Sequence, residues 1–79
     1  MEVTVRIFGT FRRRFPDYEP EVGMQVKVAD EATVRDLVAC LGLSQVREAV
    51  VIAEGRALDA DERLRPGVPV SIMQAVGGG

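Results

Sequence analysis

Three places in this sequence hold residue types that could do chemistry: the carboxylates Asp59, Asp61 and Glu62, the thiol of Cys40, and the terminal run Gly77-Gly78-Gly79. The carboxylates sit in a polar stretch with no sign of a pocket, and read as a charged, solvated turn. Cys40 has no neighbour in sequence that would lower its pKa, and reads as a small hydrophobe flanking a helix stripe. The terminal run is different. It would present the chain's own carboxylate on a strip without side chains. A carboxylate at neutral pH is a poor electrophile and must be activated before it can accept another group. Glycine lacks a Cβ, so such a tail can thread a narrow channel and approach catalytic groups closely. After Gly79, which bears the carboxylate, Gly78 is the residue most constrained by close approach. Ordering each residue on docking costs about 1–2 kcal/mol, which keeps the encounter transient.

Composition bounds the alternatives. The chain has 79 residues, 47% hydrophobic and 28% charged, with a net charge of -2. That is globular rather than disordered, and is read as one domain over residues 1–79 with a flexible tail at 74–79. A core of this size leaves little room for an enzyme's cleft. With no histidine and one cysteine, a Ser-His-Asp or Cys-His triad cannot be built. The usual Cys/His zinc sites are excluded within one chain, so no metal is expected. The net charge argues against a nucleic-acid binder. The one basic run, Arg12-Arg13-Arg14, is followed by Asp17, Glu19 and Glu21, and reads as a solvated loop or as a docking patch for an acidic partner. No signal peptide or apolar run of membrane-spanning length is evident, so a cytoplasmic chain without a membrane partner is expected.

The elements follow from periodicity. Met1, Val3, Val5 and Ile7 alternate with Glu2, Thr4 and Arg6, which predicts a half-buried strand. Phe11 to Gly23 reads as a long connection or frayed hairpin loop, pinned by Phe15 and Tyr18. Met24, Val26 and Val28 predict a second strand. Thr33 and Asp36 have capping-box spacing. Val34, Leu37, Val38 and Leu41 form a helical stripe, and Gly42 suits a left-handed stop. A helical turn over Ser44 to Glu48, a strand over Val50 to Ala53, a turn at Glu54-Gly55 and a short edge strand over Arg56 to Leu58 follow. Pro66-Gly67 suits a type II turn. Val68, Val70 and Ile72 alternate in a last strand, with Pro69 placed at its start or on an unpaired side. The order suits an α+β chain of the β-grasp class: a mixed sheet of four to five strands, covered by one main helix, with first and last strands parallel at its centre. A split βαβ fold or a partly open barrel are the other architectures.

Several segments together resemble the MoaD/ThiS family of ubiquitin-like sulfur carriers. They are Val3-Thr4-Val5-Arg6-Ile7-Phe8-Gly9, Ala32-Thr33-Val34-Arg35-Asp36-Leu37, Leu64-Arg65-Pro66-Gly67, and a strand running into Gly78-Gly79. Each alone is weak; the ordered set is more specific. The resemblance implies that the Gly79 carboxylate is adenylated by an E1-like partner using ATP. A sulfur donor then displaces AMP to leave a thiocarboxylate. It also implies a second partner, a sulfur-accepting thiazole synthase or molybdopterin synthase large subunit. The chain would be a carrier, or a non-catalytic small subunit, rather than an enzyme, with no cofactor of its own.

Met73 falls on the face opposite Val70 and Ile72. With Phe8, Ala75 and Val76 it is expected to offer an apolar partner surface beside the tail, or to cover a second small cluster. The branch within the family is mixed. Overall length and the long first connection are similar to molybdopterin-synthase subunits, which often carry prolines where Gln74 and Ala75 stand. Ile72-Met73-Gln74-Ala75-Val76 is closer to thiamine-type tails. Val68 departs from the family's usual Asp after the turn glycine. Two further functions stay open: a ubiquitin-like modifier conjugated through Gly79, and a β-grasp interaction domain without carrier activity.

Overall fold

The computed structural model describes residues 1–44 and 49–74, the side chain of Thr10 excepted. Alternation makes the first strand as expected. In β1 (Glu2–Ile7), Val3, Val5 and Ile7 are buried while Glu2 and Arg6 are exposed. An antiparallel hairpin partner, β2 (Met24–Lys27), pairs Val5 with Met24 and Glu2 with Lys27. Val28 falls beyond this strand, but its N–H donates to the Met1 carbonyl at 2.9 Å, and its own carbonyl accepts from the N-terminal ammonium at 2.8 Å.

The connection between β1 and β2 differs from the expected loose loop. Gly9 takes φ +68° and the chain enters a 3-10 helix, Gly9–Arg14. Phe11, set between polar residues, turns into the core and is 4% exposed. Burial of a ring this size is enough to order a short segment that has no regular polar pattern. Phe15 and Tyr18 pack half-buried against the core, which is the pinning role expected of them.

Helix α1 (Val34–Cys40) opens on the expected capping box. Thr33 N–H donates to Asp36 Oδ2 at 2.9 Å, and Asp36 N–H donates to Thr33 Oγ1 at 3.3 Å. The two remaining first-turn donors are also satisfied, by the chain far downstream. Val34 N–H reaches the Glu62 carbonyl and Arg35 N–H the Ala60 carbonyl, both at 2.9 Å. The loop after the β3–β4 hairpin thus closes the helix start, supplying partners that a helix terminus otherwise lacks. At the other end Gly42 takes φ +73°. Leu43 N–H donates to the Val38 carbonyl and Gly42 N–H to that of Ala39. This is the Schellman arrangement, and it drives Leu43 into full burial. Cys40 is exposed, so it does not flank the core as a hydrophobe.

The remaining strands are β3 (Ala49–Ala53), β4 (Arg56–Ala57) and β5 (Val70–Gln74). The helical turn expected over Ser44 to Glu48 lies, beyond Ser44, outside the described residues. Glu54 and Gly55 connect β3 to β4 with φ +52° and +80°, the pair of positive values that a two-residue hairpin loop requires. Gly67 takes φ +76°, and Val68 N–H closes the expected type II turn on the Arg65 carbonyl at 3.2 Å. Pro69 precedes the strand, where no ladder donor is missed. The sheet order is β2-β1-β5-β3-β4, with β1 and β5 parallel and every other pair antiparallel. That is the β-grasp fold, with α1 against the face formed by Val3, Val5, Ile7, Val51, Val70 and Ile72.

Candidate partner face and tail exit

Parallel pairing fixes where the chain leaves the sheet. Ile7 stands beside Ile72, and one residue on, Phe8 N–H donates to the Ile72 carbonyl at 2.9 Å. β1 and β5 therefore finish at the same end of the molecule. Gln74 is still strand, paired with Ala49, so residue 74 does not belong to the tail expected over 74–79. Ala75, Val76, Gly77, Gly78 and Gly79 lie outside the described residues.

Strand parity then determines what flanks the exit. Val70 and Ile72 are buried under α1, while Ser71 and half-buried Met73 face outward. Phe8, with extended backbone (φ -122°, ψ 156°), is 39% exposed. The expected outward placement of Phe8 and Met73 is what the structure shows. Two residues the sequence reading missed extend this face. Val50 is paired with Met73 and Ile52 with Ser71, and both are half-buried on the outer side of β3. Their signal was hidden because Ala49 to Ala53 is apolar at every position, so period two cannot be seen in it.

Phe8 is held by more than its ladder bond. β2 has ended by the level of Ile7, whose open flank would otherwise carry an unpaired donor and acceptor. Ile7 N–H donates to Tyr18 Oη at 3.0 Å, and the Ile7 carbonyl accepts from Arg12 Nε at 3.1 Å. The Arg12 guanidinium lies 5.9 Å from the centroid of the Tyr18 ring, within cation–π range. Two side chains from the connection thus complete the ladder that β2 leaves short.

The carboxylate cluster is spread over separate ion pairs. Glu62 takes two bonds from Arg56, at 2.6 and 3.0 Å, and accepts from Asp59 N–H at 2.6 Å. The Arg56 bond first, and the Asp59 N–H second, hold the Glu62 carboxyl down at about 2. Asp61 pairs with Arg35 at 2.6 Å. Glu54 pairs with Arg65. The carboxylates do not converge on a common point, and no cluster able to hold a metal occurs among the described residues. A groove between α1 and β3 is lined mainly by Val34, Val38, Ala49, Val51 and Leu58; its one charged side chain, Arg35, is the one engaged by Asp61. No helix among the described residues is long and apolar enough to cross a membrane.

The profile of the ThiS family matches residues 5–79, nearly the whole chain and including the terminal glycines. The chain belongs to the ThiS family. That membership agrees with the β-grasp fold described above. Among solved structures, SAMP1 from Haloferax volcanii is similar over 100% of both chains, at TM-score 0.71 and 19% identity. A second structure of H. volcanii small archaeal modifier protein 1 covers 95% of this chain and 98% of its own, at TM-score 0.73 and 17% identity. A structure described as molybdopterin converting factor, subunit 1, from Pyrococcus furiosus covers 96% and 99%, at TM-score 0.76 and 20% identity. At these identities the likeness is one of fold. No curated protein sequence matches the chain.

Proposed function

We propose that this ThiS-family chain is a sulfur carrier whose reacting group is the Gly79 carboxylate. An E1-like partner transfers AMP from ATP to that carboxylate and releases pyrophosphate. The resulting acyl-adenylate has a good leaving group. A sulfur donor attacks the carbonyl carbon, the C–O bond to AMP breaks, and a C-terminal thiocarboxylate remains. Its sulfur is more nucleophilic than the oxygen it replaced and passes to an acceptor on a synthase, either a thiazole synthase or a molybdopterin synthase large subunit. The partner supplies ATP, metal and electrostatic stabilisation of the transition state. The carrier supplies the reacting atom and the address, binds no cofactor itself, and works in the cytoplasm.

The observation that carries this reading is the parallel β1–β5 pair. It sends the chain out of the sheet beside an outward apolar face made by Phe8, Met73, Val50 and Ile52. A partner that grips this face receives the tail next to it. Ala75 and Val76 would extend the contact, and Gly77 and Gly78 would thread the channel beyond.

The test is mass spectrometry after incubation with ATP, sulfide and the activating enzyme. The full chain gains one sulfur-for-oxygen exchange. A chain lacking Gly79 folds as before but gains none, and a normal gain in the shortened chain would sink the proposal. The likeness to small archaeal modifier protein 1 favours a second reading, amide linkage of Gly79 to a lysine. Both uses pass through the same acyl-adenylate. Cell extract separates them: free thiocarboxylate marks the carrier, higher-mass conjugates the modifier.

A further inference from the structure

The run Arg12-Arg13-Arg14 is divided by the fold. Arg12 is committed inward, to the Ile7 carbonyl and the Tyr18 ring. Arg13 and Arg14 are exposed, and neither joins an ion pair among the described residues. Arg35, Arg56 and Arg65, by contrast, each hold a carboxylate. The 3-10 helix that carries Arg13 and Arg14 begins directly after Phe8 and packs against β5. It therefore stands at the end of the sheet from which the tail departs.

We propose that Arg13 and Arg14 form, beside Phe8, a contact surface for an acidic patch on the protein that activates the tail. This rests on the carrier reading above. Guanidinium groups suit it because each can grip a carboxylate with two parallel hydrogen bonds. The carboxylates that follow, Asp17, Glu19 and Glu21, nearly balance the local charge, so the attraction is weak at long range. Physiological salt screens charges beyond about 8 Å in any case. The arginines act in the docked complex, as a polar rim to the apolar Phe8 and Met73 face, more than in steering the encounter. The same balance of charge disfavours nucleic acid, whose backbone would meet the three acids as well.

The experiment is ATP–pyrophosphate exchange catalysed by the E1-like enzyme of the same organism, with the carrier as varied substrate. R13E, R14E and the double variant are compared with R63E. Arg63 is exposed and without an ion pair among the described residues, but lies in the loop bridged to Thr33 at the start of α1. It makes the same single charge change elsewhere. The double variant raises KM for the carrier roughly three- to tenfold, the size of two exposed pairs lost and replaced by repulsion. Its kcat stays within about twofold. R63E leaves KM unchanged, thermal midpoints stay at the wild-type value, and added salt raises the wild-type KM more steeply than the double variant's. An unchanged KM in the double variant, with wild type active, overturns this proposal alone. So does an equal rise in R63E, which would be a net-charge effect. A single-stranded oligonucleotide bound by wild type and released by the double variant, with KM unchanged, assigns the patch to nucleic acid and overturns it. Absence of exchange with wild type overturns the carrier reading and this proposal together.

Discussion

The hydroxyl of Tyr18 accepts the backbone N–H of Ile7 at 3.0 Å, so a side chain eleven residues downstream stands in for a strand that has already ended. Beyond that point β1 runs on to Phe8 with β5 on one flank and Tyr18 with Arg12 on the other. A side chain can complete a ladder only if its own loop is anchored, and here Phe11 and Phe15 anchor it.

Replacing Tyr18 by Phe keeps the ring but removes the acceptor. The partly buried Ile7 N–H is then unpaired, which costs about 1–3 kcal/mol. Urea denaturation should show a lower midpoint with an unchanged slope. A midpoint equal to wild type would mean that water replaces the hydroxyl without loss.

Glu54 occupies the first loop position of the β3–β4 hairpin at φ +52°. A left-handed backbone costs an ordinary residue about 1–2 kcal/mol, and asparagine tolerates it better. Glu54→Asn also removes the exposed pair with Arg65, both side chains of which are more than half exposed, and such pairs contribute about 0–1 kcal/mol. The backbone effect is the larger, so the variant should be more stable by about 0.5 kcal/mol. Lower stability would show that the Arg65 pair, rather than the turn, holds the hairpin.

The acid limb of stability should depend on Glu62. Its carboxyl is held at about 2, below the ordinary carboxyl value of 4.5, because Arg56 and the Asp59 N–H favour the charged form. A depressed folded pKa contributes stability above the unfolded value and loses it as pH falls through the folded value. The loss therefore runs from about 4.5 down to about 2. Glu62→Gln should flatten the dependence of the thermal midpoint on pH in that window. An identical slope in the variant would place the acid sensitivity on other carboxylates.

These residues also show what the sequence made legible. The alternation of β1, the Thr33–Asp36 box, the stop at Gly42 and the turn at Pro66-Gly67 are local patterns with local causes, and each is found where its spacing puts it. The order of elements then leaves few ways to close the sheet, which is why the central β1–β5 pair could be anticipated. The 3-10 helix, the Tyr18 and Arg12 bonds to Ile7, and the closure of the α1 start by Glu62 and Ala60 carbonyls have no periodic signature. They depend on where distant segments land. Of the proposed site, Phe8 and Met73 could be placed from parity alone, whereas Val50 and Ile52 needed the pairing register. Cys40 stands one position, or about 100° of helix turn, before Leu41, which carries it off the stripe of Val34, Leu37, Val38 and Leu41 and into solvent.

The outer face should separate docking from stability. Phe8 is 39% exposed and Val50 half-buried, so truncating Phe8 removes a ring that the core does not need. Phe8→Ala should cost less than about 1 kcal/mol in folding, since surface substitutions away from caps and cores usually do. An exposed aromatic beside a proposed docking face is the type of residue on which binding energy concentrates, at about 2 kcal/mol or more when truncated. The apparent KM for the carrier in ATP–pyrophosphate exchange should therefore rise by about thirtyfold while the thermal midpoint moves little. Val50→Ala should act in the same direction but more weakly, because valine buries less area and lies on β3, two strands from β1. If Phe8→Ala lowers the thermal midpoint and leaves KM unchanged, the ring belongs to a second structural cluster with Met73, and the partner must grip the chain elsewhere.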